Sequence, residues 1–162
     1  MAITADRLPT PASTTTATVG KDFLIYVNTG TSEADAKWTV VGGQRNSKLS
    51  LKADEVDVSD KTSGGWGAKL AGTRQWSFEL SGLVMLNDDG VSALQALFLA
   101  GKLAHVKFEY PDKKYQVGWA AITDFSFDTP HDGAATLTGT LSGNGPLSDI
   151  IDPSSASGGT SE

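Results

Sequence analysis

At 162 residues the chain has the size of one domain with room for a real core. It contains no cysteine, which excludes disulfide scaffolds and thiolate metal sites. Its net charge of −6 argues against a protein that grips a nucleic-acid backbone. No apolar run approaches the roughly 18 residues of a membrane-spanning helix, so no membrane partner is expected. The N-terminus lacks the basic region and apolar core of a secretory signal.

Residues 1–19 are rich in Thr, Ala and Pro, and residues 152–162 in Ser and Gly. Neither stretch buries enough apolar surface to offset its ordering entropy, so both are expected as flexible arms flanking one domain over 20–151. Inside that domain a period of two dominates. Phe23, Ile25 and Val27 alternate with Leu24 and Tyr26, and a short run of Trp38 and Val40 ends at Gly42-Gly43. Leu49 and Leu51, then Val56 and Val58, mark a longer strand on which the valines point inward and the acids outward. Trp76, Phe78 and Leu80 mark the next. The phase slips at Asp54-Glu55 and at Gly82, as bulges would require. Asp88 or Asp89 is placed to cap a helix over about 89–100 with the apolar face Val91, Leu94, Leu97 and Phe98, closed by Gly101.

Beyond the helix, Val106, Phe108 and Tyr110 precede a turn at Pro111-Asp112-Lys113-Lys114. Val117, Trp119 and Ala121, then Phe125 and Phe127, then Leu137, Gly139 and Leu141 follow as separate alternating runs. The order is four or five strands, one helix and about four strands. It predicts a mainly β fold: an antiparallel sandwich or open barrel with one packed helix.

The connection from about 59 to 73 is anomalous. Compact β proteins join neighbouring strands with about 2–5 residues, yet this stretch holds Gly64, Gly65, Gly67, Gly72, a lone Trp66 and two lysines, Lys61 and Lys69. Trp38, Trp76 and Trp119 fall on apolar strand parities and are expected in the core. Trp66 has only glycines and polar residues beside it. One reading folds it back onto its own domain; the favoured one makes it an anchor in a partner's pocket, where tryptophan is over-represented.

The residues offer little chemistry. His105 is expected as a solvated strand residue and His131 as a residue of a Pro-His-Asp-Gly turn; the two are too isolated for a zinc site, and no cofactor is implied. The run from Asp54 to Asp60 lacks the glycine and terminal glutamate of a calcium loop and reads as a solvated strand face. No nucleophile elbow, zinc-helix or phosphate-loop motif is present, so no catalytic residue is assigned.

The segments Gly20-Lys21-Asp22-Phe23-Leu24-Ile25-Tyr26-Val27, Trp38-Thr39-Val40-Val41-Gly42-Gly43-Gln44 and Ser47-Lys48-Leu49-Ser50-Leu51 form a recognisable series. Val56-Asp57-Val58-Ser59-Asp60-Lys61, Gly64-Gly65-Trp66, Leu70-Ala71-Gly72 and Trp76-Ser77-Phe78 continue it. Over roughly 20–145 this series resembles the TP901-1-type major tail proteins of long-tailed bacteriophages, found also in gene transfer agents. The resemblance implies a virion protein whose rings, typically of six subunits, stack into a tail tube that guides the genome into the host. It implies assembly in the host cytoplasm around a tape-measure protein, with tail terminator and distal tail proteins as further partners. No catalytic residues carry over. The loop carrying Asp60, Lys61, Gly64, Gly65, Trp66, Lys69 and Leu70 is expected to reach neighbouring subunits. Some of Asp54, Glu55, Asp57, Glu79, Glu109, Asp124 and Asp128 are expected to line the bore, where like charge lets DNA pass without binding. The alternative is a carbohydrate- or receptor-binding β-sandwich that uses Trp66.

Overall fold

The computed structural model describes residue 18 and residues 20–153; the arms expected at 1–19 and 152–162 therefore lie almost wholly outside the described residues. A 3-10 turn, Gly20–Asp22, leads into β1 (Leu24–Asn28), β2 (Trp38–Val40), β3 (Gln44–Asp57) and β4 (Lys69–Leu83). Helix α1 (Asp89–Ala100) follows, then β5 (Ala104–Glu109), β6 (Tyr115–Asp128) and β7 (Thr136–Gly143). All pairings are antiparallel, in one seven-stranded sheet of order β2-β1-β5-β6-β7-β4-β3. The mainly β fold with one helix is as the alternation predicts. The sheet stays open, because its edges β2 and β3 do not pair with each other.

Three strands follow the helix rather than about four. The runs at Val117–Ala121 and Phe125–Phe127 belong to a single strand, β6, whose register against β7 shifts between Ile122 and Asp124. A bulge moves side chains to the opposite parity without ending the strand, so the sequence pattern imitates two strands. Both other expected slips are present. The β3–β4 register shifts between Gln44 and Asn46, opposite Gly82, and again between Ala53 and Glu55. Gly82 is needed at the first bend, since a Cβ there would lie 2.0 Å from the Gly43 carbonyl oxygen.

Alternation on β1, β4, β5 and β7 sends Ile25, Val27, Trp76, Phe78, Leu80, Val106, Phe108, Leu137 and Leu141 to one face, where they form the core. Phe78 stacks on Phe108 at 5.4 Å, an offset arrangement that adds to area burial. Helix α1 covers part of this face. The Asp88 carboxylate caps it by accepting from the Val91 amide at 2.8 Å, and also accepts from the Gly42 amide at 3.1 Å. Gly101, in the left-handed conformation, closes the helix. Val91 and Leu94 are buried and Leu97 partly so. Phe98, expected on the same face, is instead half exposed at the rim.

The curled sheet brings the start of β3 back beside β1. There the Gln44 side-chain amide takes the place of a strand: it accepts from the Ile25 amide at 3.1 Å and donates to the Ile25 carbonyl at 2.9 Å.

Candidate functional site

The second half of β3 and the first part of β4 leave the body together as a hairpin. Glu55 pairs with Ala71, Val56 with Leu70 and Asp57 with Lys69. The expected 59–73 loop is therefore shorter than the composition suggests: its last residues, from Lys69, are β4 ladder. The connection spans only 58–68 and is folded. Asp60 accepts from the Thr62 hydroxyl at 2.6 Å, the Thr62 amide at 2.8 Å and the Ser63 hydroxyl at 3.3 Å. Hydrogen bonding by Thr62 and by Ser59, respectively, is the main reason that Asp60 and Asp57 titrate below the usual carboxylate range. Gly64 and Gly65 turn the chain with φ of 63° and 81°, which suits residues without a Cβ.

What this hairpin lacks is an apolar base. One face carries the ion pairs of Lys69 with Glu55 (2.8 Å) and Asp57 (3.5 Å). The other carries Val56 and Leu70, both exposed. Val56 and Val58, expected inward, have no core to enter, because the arm projects beyond the sheet's filled face. Trp66 at the tip is 83% exposed. The preformed turn thus holds a large aromatic ring in solvent.

The sheet's face opposite the core divides in two. Across β4, β7 and the end of β6 it is polar: Thr140 lies opposite Glu79 on one side and Asp124 on the other, and Thr136 lies opposite Asp128. Across β2, β1, β5 and the start of β6 it is aromatic. His105, expected in solvent, is buried there. It stacks on Trp119 at 4.7 Å and lies 4.9 Å from Trp38, with Asn28 Nδ2 at 3.1 Å from its Nδ1. Burial holds its pKa below the ordinary value, opposed by the charge of Glu33. Trp38 and Trp119 thus pack around this histidine and not in the main core. Trp119 is half exposed and donates to Glu33 Oε2 at 3.1 Å. Lys107 lies over the rings of Tyr26, Trp38 and Tyr115, and burial lowers its pKa against the opposing charge of Glu109.

The seven candidate bore acids are consequently dispersed. Glu79, Asp124 and Asp128 share the polar half-face. Glu109 lies beside the aromatic half, held by Lys107 (3.8 Å) and Lys113 (3.5 Å). Asp54, Glu55 and Asp57 belong to the hairpin. His131 lies in a turn, as expected, and is exposed there. No His, Cys, Asp or Glu cluster among the described residues is arranged to hold a metal.

The phage tail tube protein family model matches residues 17–149, nearly the whole described region. The chain belongs to that family. Its role is that of a structural tail tube protein. Among solved structures it is similar to the tail of an empty gene transfer agent particle with C6 symmetry, at 28% identity and a TM-score of 0.72, covering 82% of this chain and 98% of that one. A native gene transfer agent virion chain matches at 26% identity and a TM-score of 0.72, over 84% of this chain and all of that one. The SPP1 tail tube protein shares the fold at 18% identity and a TM-score of 0.66, over 83% of this chain and 80% of that one. No curated protein matches. For a tail tube protein, the projecting hairpin is the feature that a free subunit leaves unexplained. Sequence reasoning found it through the glycine and tryptophan composition. It missed the His105 cluster, whose members meet only when β2, β1, β5 and β6 are placed side by side.

Proposed function

We propose that this protein assembles, without catalytic activity, into stacked six-membered rings that form a tail tube and carry the genome to the host. The observation that carries the proposal is the hairpin tip: a folded turn that exposes Trp66, on a chain of the tail tube family. Residues Asp60, Lys61, Gly64, Gly65, Trp66, Lys69 and Leu70 make the contact with a neighbouring copy. The six-fold symmetry of the similar gene transfer agent tail supports the ring size. Two open sheet edges, β2 and β3, suit a head-to-tail ring contact by strand addition. Glu79, Asp124 and Asp128 face the bore from the polar half-sheet, and DNA slides past this like charge without specific binding. Tape-measure, terminator and distal tail proteins are the further partners. The protein assembles in the host cytoplasm and ends in the virion tail.

Negative-stain microscopy of concentrated protein tests this reading. Rings or striated tubes are expected. A persistent monomer that binds glycans through Trp66 would replace the reading with the carbohydrate-binding one.

A further inference from the structure

We propose that the Trp66 tip of one copy seats in the groove between β1 and β3 of a second copy, which makes this the contact that stacks subunits along the tube. The inference rests on the assembly reading and deepens it by naming the receptor site.

The groove exists because the sheet does not close. Strand β2 pairs with β1 only at Tyr26–Asn28, so Phe23 and Leu24 have no strand on that side. Below the Gln44 bridge, the hydrogen bond across the gap among the described residues is from the Ser47 hydroxyl to the Phe23 carbonyl at 3.3 Å. The space left is a groove of about 560 Å³ with Phe23, Leu49, Phe108 and Tyr110 among its lining residues. That volume falls within the range of about 300–1,000 Å³ typical of small-molecule pockets, ample for one indole ring. Lys21 and Arg45 stand at its rim, exposed, and neither has an ion-pair partner among the described residues.

The hairpin complements this site in shape and charge. It offers one large aromatic ring flanked by glycines. Over 54–69 it carries Asp54, Glu55, Asp57 and Asp60 against Lys61 and Lys69, a net charge of −2. An acidic arm with an aromatic tip therefore faces a cationic groove with an aromatic floor. Its own groove is out of reach. The groove lies at the start of β3 and the tip beyond its end. From Ser47 to Asp57 an extended strand advances about 33 Å. Donor and receptor thus occupy opposite ends of one strand, and such a head-to-tail contact runs on from copy to copy along the tube when its rotation does not close a ring.

The absence of cysteine makes cross-linking a clean test. Gly67→Cys and Asn46→Cys are made as separate single variants, mixed, assembled and oxidised. A Cβ at Gly67 would meet the Ser59 hydroxyl at 3.8 Å, an ordinary contact, and Asn46 lines the groove. Disulfide-linked dimers are expected from the mixture only, and only when assembled. Tubes that form without this cross-link overturn the groove assignment and leave the tube reading standing. Cross-linking of Asn46→Cys to Thr10→Cys instead would give the groove to the N-terminal segment, with the same consequence. Wild-type protein that never assembles ends both readings. A mutant cycle covers the case of a poorly folding cysteine variant. Trp66→Ala and Arg45→Glu should each raise the critical concentration for assembly, Trp66→Ala by about tenfold or more. The double variant should be little worse than the weaker-assembling single one; strictly additive effects would overturn the pairing.

Discussion

Two tryptophans on the β3–β4 hairpin segment have opposite fates. Trp76 is 7% exposed, packs edge-to-face on Phe78 at 5.1 Å and donates its indole N–H to the Gly145 carbonyl at 2.9 Å. Trp66 is 83% exposed between Gly65 and Gly67, its backbone amide donating to the Ser63 carbonyl at 3.1 Å. The first is satisfied in both its apolar surface and its donor inside one chain. The second is satisfied in neither. The hairpin thus runs from a buried core to an exposed tip, and the comparison separates residues that hold the fold from those their own chain leaves uncovered.

The strongest way to break this comparison is at its buried end. Trp76→Ala should cost about 3–5 kcal/mol in denaturant unfolding, because the ring fills space that the curled sheet cannot collapse. A loss below 1 kcal/mol would mean that the two tryptophans do not differ as described. Gly143→Ala should come next, at about 1–3 kcal/mol: its Cβ would lie 2.3 Å from the Trp76 ring, a clash within the core. The His105 cluster sharpens the contrast through pH. Burial lowers the His105 pKa, so the folded chain holds fewer protons than the unfolded one. Stability from the neutral ring is present above about pH 6.5 and is lost as pH falls through the lower folded value. Thermal melts from pH 7 to 5 should show this decline, and His105→Gln should flatten it. The smallest stability effect belongs to Trp66→Ala, within about 0.5 kcal/mol of wild type, while sedimentation shows assembly weakened. A destabilised monomer would place Trp66 in the fold.

Much of the fold was legible along the chain. Alternation marked the core residues of β1, β4, β5 and β7, and Asp88 and Gly101 marked the ends of α1, because these signals act between residues a few positions apart. Trp66 stood out for the same reason: glycine neighbours offer it no local packing. Other features needed strand pairing. A bulge disguised β6 as two strands. The hairpin's ladder from Lys69 onward lacks the buried face that produces alternation, so it read as loop. His105 read as solvated because strand parity separates two faces without telling which is wet. Rings from β2 and β6 bury it, and only the sheet order brings them to either side. The Lys21–Arg45 groove arises likewise from an unclosed gap between strands far apart in sequence. Local pattern therefore determined the elements and pointed to the exposed tip, whereas tertiary curvature decided which side chains meet, since contact between distant strands depends on sheet order and closure.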